Sequence, residues 1–64
     1  MNLEDVKAEV KRIEEMAYDD ECAHGAEDDL HKAVLEYYAE GGNDPLLAEE
    51  ALKTSQIHFA RWCA

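Results

Sequence analysis

The stretch DDECAHGAEDDLH, Asp19 to His31, holds six carboxylates, two histidines and a cysteine in thirteen residues, with no Lys or Arg among them. Imidazole and carboxylate groups at three- and four-residue spacing can exchange protons, hold a metal ion or present charge to a partner. Ala23, Ala26 and Leu30 recur at helical steps. With these turned inward, the spacing predicts that Asp20, His24, Glu27, Asp28 and His31 share the opposite, polar side of one helix.

Three chemistries compete for these groups. A metal centre would draw on His24 with Asp28, or on His31 with Glu27 or Asp28, and two ligands hold an ion weakly. The set available to close such a site, Cys22, His24, His58 and Cys63, is spaced C-x-H and H-x4-C, which matches no common zinc ribbon or finger. No metal or cofactor is therefore expected, and metal binding through His and carboxylates stands as a secondary alternative. Catalysis needs a cleft, and a chain of 64 residues builds too small a core for a deep one. No enzyme activity is expected.

The third chemistry is charge. Glu14, Glu15, Asp19, Asp20, Glu21, Glu27, Asp28 and Asp29 lie between Ile13 and His31, an interval without Lys or Arg. Carboxylates one helical turn apart are about 5 to 6 Å from each other, so a rigid helical ridge of them resembles a phosphate backbone. The plain alternative is a solvated face whose charge keeps the protein in solution.

These groups must be positioned by helices. Leu3, Val6, Val10, Ile13 and Met16 or Ala17 recur at steps of three and four, which predicts a first helix over about residues 3–18. Asn2 is its cap and Asp5 takes the place of the capping-box acid. Ala23, Ala26, Leu30, Ala33, Val34 and Tyr37 predict a second helix over about 20–40, stopped by Gly41 and Gly42. The two apolar sets differ in azimuth by roughly 140°, which calls for a break between them. Acids are favourable at a helix start, so the corner falls near Tyr18 to Asp20, with Gly25 as the other place for it. Asn43 or Asp44 and then Pro45 launch a third helix over about 45–54. Residues 55–64, with Ile57, Phe59, Trp62 and Cys63, are too apolar for a free tail. They either close the core, with Arg61 pairing to a carboxylate of the first or second helix, or show an aromatic patch in which Tyr38 and Trp62 meet a partner. The fold class is all-α: a small bundle of three helices with a short C-terminal helical or turn segment packed across it, forming one domain.

Sixteen acids against six bases give a net charge of −10, while 47% of residues are apolar, too many for a disordered solvating tail. Such a surface repels nucleic acid and anionic membranes and attracts basic protein surfaces. The first residues lack a basic segment followed by an apolar one, and no run is long enough to cross a membrane, so a cytoplasmic location is expected.

The segments DDECAHGAEDDLHKAVL and ALKTSQIHFARWCA resemble those of short, uncharacterised acidic proteins found in bacteriophages and bacterial genomes. The resemblance implies a phage or prophage origin and, by analogy with anti-restriction and anti-CRISPR proteins, inhibition of host machinery. Together these readings describe a small acidic interaction module that blocks a basic or nucleic-acid-binding surface of a host protein through Asp20, His24, Glu27, Asp28, Asp29, His31, Tyr38 and Trp62. The alternative is an oligomeric accessory protein, a homodimer in its simplest form, joined through an apolar subunit interface.

Overall fold

The computed structural model describes residues 1–61 and is all-α, with no strand among the described residues. Trp62 and Cys63 lie outside the described residues. The first helix, α1 (Leu3–Glu15), opens on a reciprocal cap: Asn2 Oδ1 accepts the Asp5 N–H at 2.9 Å, and Asp5 Oδ2 accepts the Asn2 N–H at 3.3 Å. It stops three residues earlier than its apolar spacing suggests. Met16 donates its N–H to the carbonyls of Arg12 and Ile13, and the chain turns through Ala17 and Tyr18 so that Asp19 can cap the next helix.

That helix, α2 (Asp20–Ala39), is continuous through Gly25, so the corner is at Asp19 and not at the glycine. Asp19 accepts the Cys22 N–H at 3.2 Å, and Asp20 and Glu21 sit in the first turn, where the helix dipole favours them. Its end is set by Gly41, whose φ of +97° is a conformation open to glycine at little cost, and the Gly42 N–H returns to the Tyr37 carbonyl. Asp44 then caps α3 (Pro45–Leu52), with Pro45 in the first position. The last turn tightens into a 3-10 segment, Lys53–Gln56, two residues before the expected helix end.

Each of the three helices packs against the other two. Val6 and Ile13 from α1, Ala23, Ala26, Leu30 and Val34 from α2, and Leu47 and Ala51 from α3 are buried together. Full burial of a residue such as Ile13 or Leu47 is worth about 1.5–3 kcal/mol, and truncating one to Ala costs about 2–5. Ile57 and Phe59 lie against this core, and Ala60 donates its N–H to Asp20 Oδ1 at 3.0 Å. The C-terminal stretch is thereby tied to the start of α2.

Candidate functional site

The polar residues of α2 divide into two groups that face different surroundings. Glu27 is not part of an outward stripe: only 5% of it is exposed. It is four residues after Ala23 and three before Leu30, so at 100° per residue it falls on the rim of the apolar arc rather than opposite it. A carboxylate there needs a partner, and Arg61 supplies one. Arg61 Nε meets Glu27 Oε1 at 2.8 Å and Nη2 meets Oε2 at 3.1 Å, a two-point fork. The hydrogen bonds from Arg61 hold the Glu27 carboxyl below the usual glutamate range against the opposing effect of burial, with a further contribution from Thr54. Glu27 in turn raises the Arg61 guanidinium.

Arg61 also organises its own neighbourhood. Nη2 donates to the carbonyls of Thr54 at 2.8 Å and Ile57 at 3.1 Å, Nη1 donates to Phe59 O at 3.3 Å, and the guanidinium lies 3.8 Å from the Phe59 ring centroid. The pairing expected of Arg61 with a carboxylate of the first or second helix thus occurs with a buried one.

His31 is also turned away from open solvent. Its Nε2 lies 3.0 Å from Thr54 Oγ1 and 3.3 Å from the Ala51 carbonyl. The Thr54 hydroxyl also lies 3.1 Å from the Ala51 carbonyl, so the three groups form one cluster. His31 therefore fastens α2 to the end of α3. The groove in which it lies is otherwise lined by Val34, Ala48, Ala51 and Leu52. Tyr38 is half-buried and donates its hydroxyl to the Asp44 carbonyl, which uses its polar end inside the fold rather than at a free hot spot. Trp62, its expected companion, is outside the described residues.

The remaining acids do face water. Glu14, Glu15, Asp19, Asp20, Glu21, Asp28 and Asp29 are all exposed. His24 is half-buried, with Nε2 3.7 Å from Asp28 Oδ2, and is the histidine that belongs to this side. Arg12, the nearest cation before the run in sequence, is held by Glu9 at 3.0 Å and raised chiefly by that carboxylate, with a smaller contribution from Asp29. At the corner between α1 and α2, Tyr18 is 89% exposed. Its apolar neighbours in sequence, Met16 and Ala17, gave no reason to single it out, since an aromatic after a helical run reads equally as core.

Among the described residues no three His, Cys, Asp or Glu side chains converge as a metal-binding group. Cys22 is exposed and its thiol is raised by Asp19, which keeps it protonated and poorly nucleophilic. No helix among the described residues is long and apolar enough to cross a membrane. Comparison of the chain with protein-family models, with curated proteins and with solved structures finds no match. The functional reading therefore rests on the side chains.

Proposed function

We propose that the chain is a small acidic protein-interaction module, a three-helix bundle closed by its C-terminal segment, that occupies a basic, nucleic-acid-binding surface of another protein. The observation that carries this reading is the exposed set Glu14, Glu15, Asp19, Asp20 and Glu21 around the α1–α2 corner, continued along α2 by Asp28 and Asp29, with no Lys or Arg in that interval of sequence, while Arg12 is held by Glu9 and Arg61 by Glu27. Charge of one sign on a rigid helical corner steers a cationic surface toward it and fixes register on contact. Tyr18 adds an exposed flat ring among the carboxylates, the pairing of aromatic face and anion that a nucleotide also presents. The resemblance to small acidic phage proteins supports an inhibitor acting on host machinery in the cytoplasm.

The test uses four substitutions together: Glu14→Gln, Glu15→Gln, Glu21→Gln and Asp28→Asn. Asp19, Asp20 and Glu27 are left in place because they cap α2, hold Ala60 and hold Arg61. The immobilised protein is incubated with bacterial lysate at about 50 mM and about 500 mM salt, where charge contacts differ most. Captured proteins are identified by mass spectrometry and challenged with duplex DNA. Nucleic-acid-binding proteins held at low salt, displaced by DNA and lost from the fourfold variant are expected. Capture that survives high salt or the four substitutions overturns the reading.

A further inference from the structure

Among the described residues Glu27 is the only charged side chain that is buried. A buried ion pair adds little net stability over apolar side chains of the same shape, so packing alone gives α2 no reason to carry a carboxylate on its rim. What answers Glu27 is a segment, residues 57–61, that forms neither helix nor strand.

The contacts of that segment with α2 have the form of a bound ligand. Ala60 donates its N–H to Asp20 Oδ1 at 3.0 Å, and Arg61 forks onto the two Glu27 oxygens at 2.8 and 3.1 Å. Arg61 Nη2 also meets the carbonyl of buried Thr54 at 2.8 Å, and the Phe59 ring covers the guanidinium at 3.8 Å. A planar fork, a carbonyl in its plane and a ring on its face are what distinguish a guanidinium from an ammonium group. The Arg61 side chain is 34% exposed, so an incoming group can reach the edge of the fork.

We propose that Asp20, Glu27 and the Thr54 carbonyl form a receptor for an arginine placed two residues after an aromatic one, and that Phe59, Ala60 and Arg61 occupy it as an internal ligand until a partner's segment of that kind displaces them. The contact is autoinhibitory, because the tether holds Arg61 at an effective concentration of about millimolar. A basic partner already held at the acidic corner competes on equal terms, since its own arginine then reaches the receptor within one complex. The inference rests on the reading of a basic partner for that partner's charge, but it uses none of Glu14, Glu15, Glu21 and Asp28.

The experiment titrates the isotope-labelled full chain with a blocked peptide of residues 57–61, Ile-His-Phe-Ala-Arg, and follows the Glu27, Thr54 and Ala60 amides by NMR. Arg61→Ala, whose internal ligand is gone, should bind the peptide about tenfold or more tightly than the unsubstituted chain, and a peptide ending in lysine should bind it about tenfold more weakly. Arg61→Lys, which keeps a cation but loses the fork, should fall between the two chains and serves if Arg61→Ala does not fold. Adding Glu27→Gln to either Arg61 variant should abolish the arginine preference. The fourfold corner variant retains Asp20 and Glu27 and should bind the peptide as the unsubstituted chain does, so loss of lysate capture with peptide binding intact strikes the corner reading alone. Equal affinity for the arginine and lysine peptides, equal affinity of the unsubstituted chain and the Arg61 variants, or no shift at Glu27 up to about 10 mM peptide overturns the inference.

Discussion

Removing Arg61 should cost more than removing the charge it pairs with. Glu27 is 5% exposed, whereas the Arg61 side chain is 34% exposed, so the two partners differ in how well water can replace the lost contact. Arg61→Ala strands a carboxylate on the core rim and deletes the donors to Thr54, Ile57 and Phe59 carbonyls. Breaking a fully buried pair from one side costs about 3–5 kcal/mol; with a third of Arg61 in solvent we expect about 2–3. Glu27→Gln keeps the shape and one acceptor, and leaves a cation that solvent reaches, so about 1 kcal/mol is expected. A chain of this length has roughly 3–10 kcal/mol in total, so Arg61→Ala removes a large share. Urea unfolding followed by circular dichroism should show its midpoint about 2 M lower, given a slope near 1 kcal/mol per molar for so small a protein.

The pH dependence supplies a second reading of the same pair. Arg61 depresses the Glu27 carboxyl below its ordinary value of 4.5. A group depressed in the folded state contributes stability that is present above its unfolded pKa and lost as pH falls through the folded one. The native protein should therefore lose this contribution on acidification below about pH 4.5. In Arg61→Ala the largest cause of the depression is gone and burial opposes the smaller effects of Thr54 and His31, so the Glu27 contribution to the acid loss shrinks. The difference between the two pH profiles isolates Glu27, because the other acids are common to both. Equal costs for Arg61→Ala and Glu27→Gln, or parallel profiles between pH 3 and 7, would refute the reasoning.

Two further predictions concern single positions. A Cβ at Gly25 meets nothing within 4 Å, so Gly25→Ala should raise stability by about 0.5–1 kcal/mol, whereas a Cβ at Gly42 falls 2.3 Å from the Tyr37 ring and Gly42→Ala should cost about 1–3; thermal melts of the two variants should move in opposite directions. Thr54→Val removes the hydroxyl that His31 Nε2 meets at 3.0 Å in a fully buried position, and urea unfolding should register a loss of about 1–2 kcal/mol, with an unchanged midpoint counting against the bond.

The fold was readable wherever a local rule governs it. Asn2 and Asp5 announce their own capping box, Asn43 or Asp44 with Pro45 starts a helix, and Gly41 supplies a positive φ that ends another. The helix ends were less readable, because the apolar spacing of α1 runs on through Met16 and Ala17 while the competing cap at Asp19 decides where the turn falls. The site divides along the same line. Exposure of Asp28 and Asp29 follows from their azimuth on α2, and so does the rim position of Glu27, four residues from Ala23; Asp20 shares nearly the azimuth of Glu27 and is exposed because it opens the helix. Its pairing with Arg61 spans 34 positions, and His31 with Thr54 spans 23. No periodicity within α2 encodes either contact; they depend on where the chain returns after α3.

Charge inside and outside the fold is one distribution. The chain has six Lys and Arg for sixteen acids, and three of those cations are engaged at short range: Arg12 with Glu9, Lys53 with Glu50, and Arg61 with Glu27. A coat serving solubility alone would interleave the signs over the surface. Here five exposed acids, Glu14, Glu15, Asp19, Asp20 and Glu21, surround the corner between α1 and α2, and their field reaches about a Debye length of 8 to 10 Å into solution, far enough to act on a partner before contact. The arrangement carries little penalty for the fold, because Asp19 caps α2 and Asp20 and Glu21 lie in its first turn, where the macrodipole favours negative charge. The same run placed in the last turn of α2, near Leu35, would oppose the dipole and weaken the helix. The first turn of α2 thus takes its acids at little cost, whereas Glu36, in the last turn, stands against the dipole with no basic residue beside it in that turn.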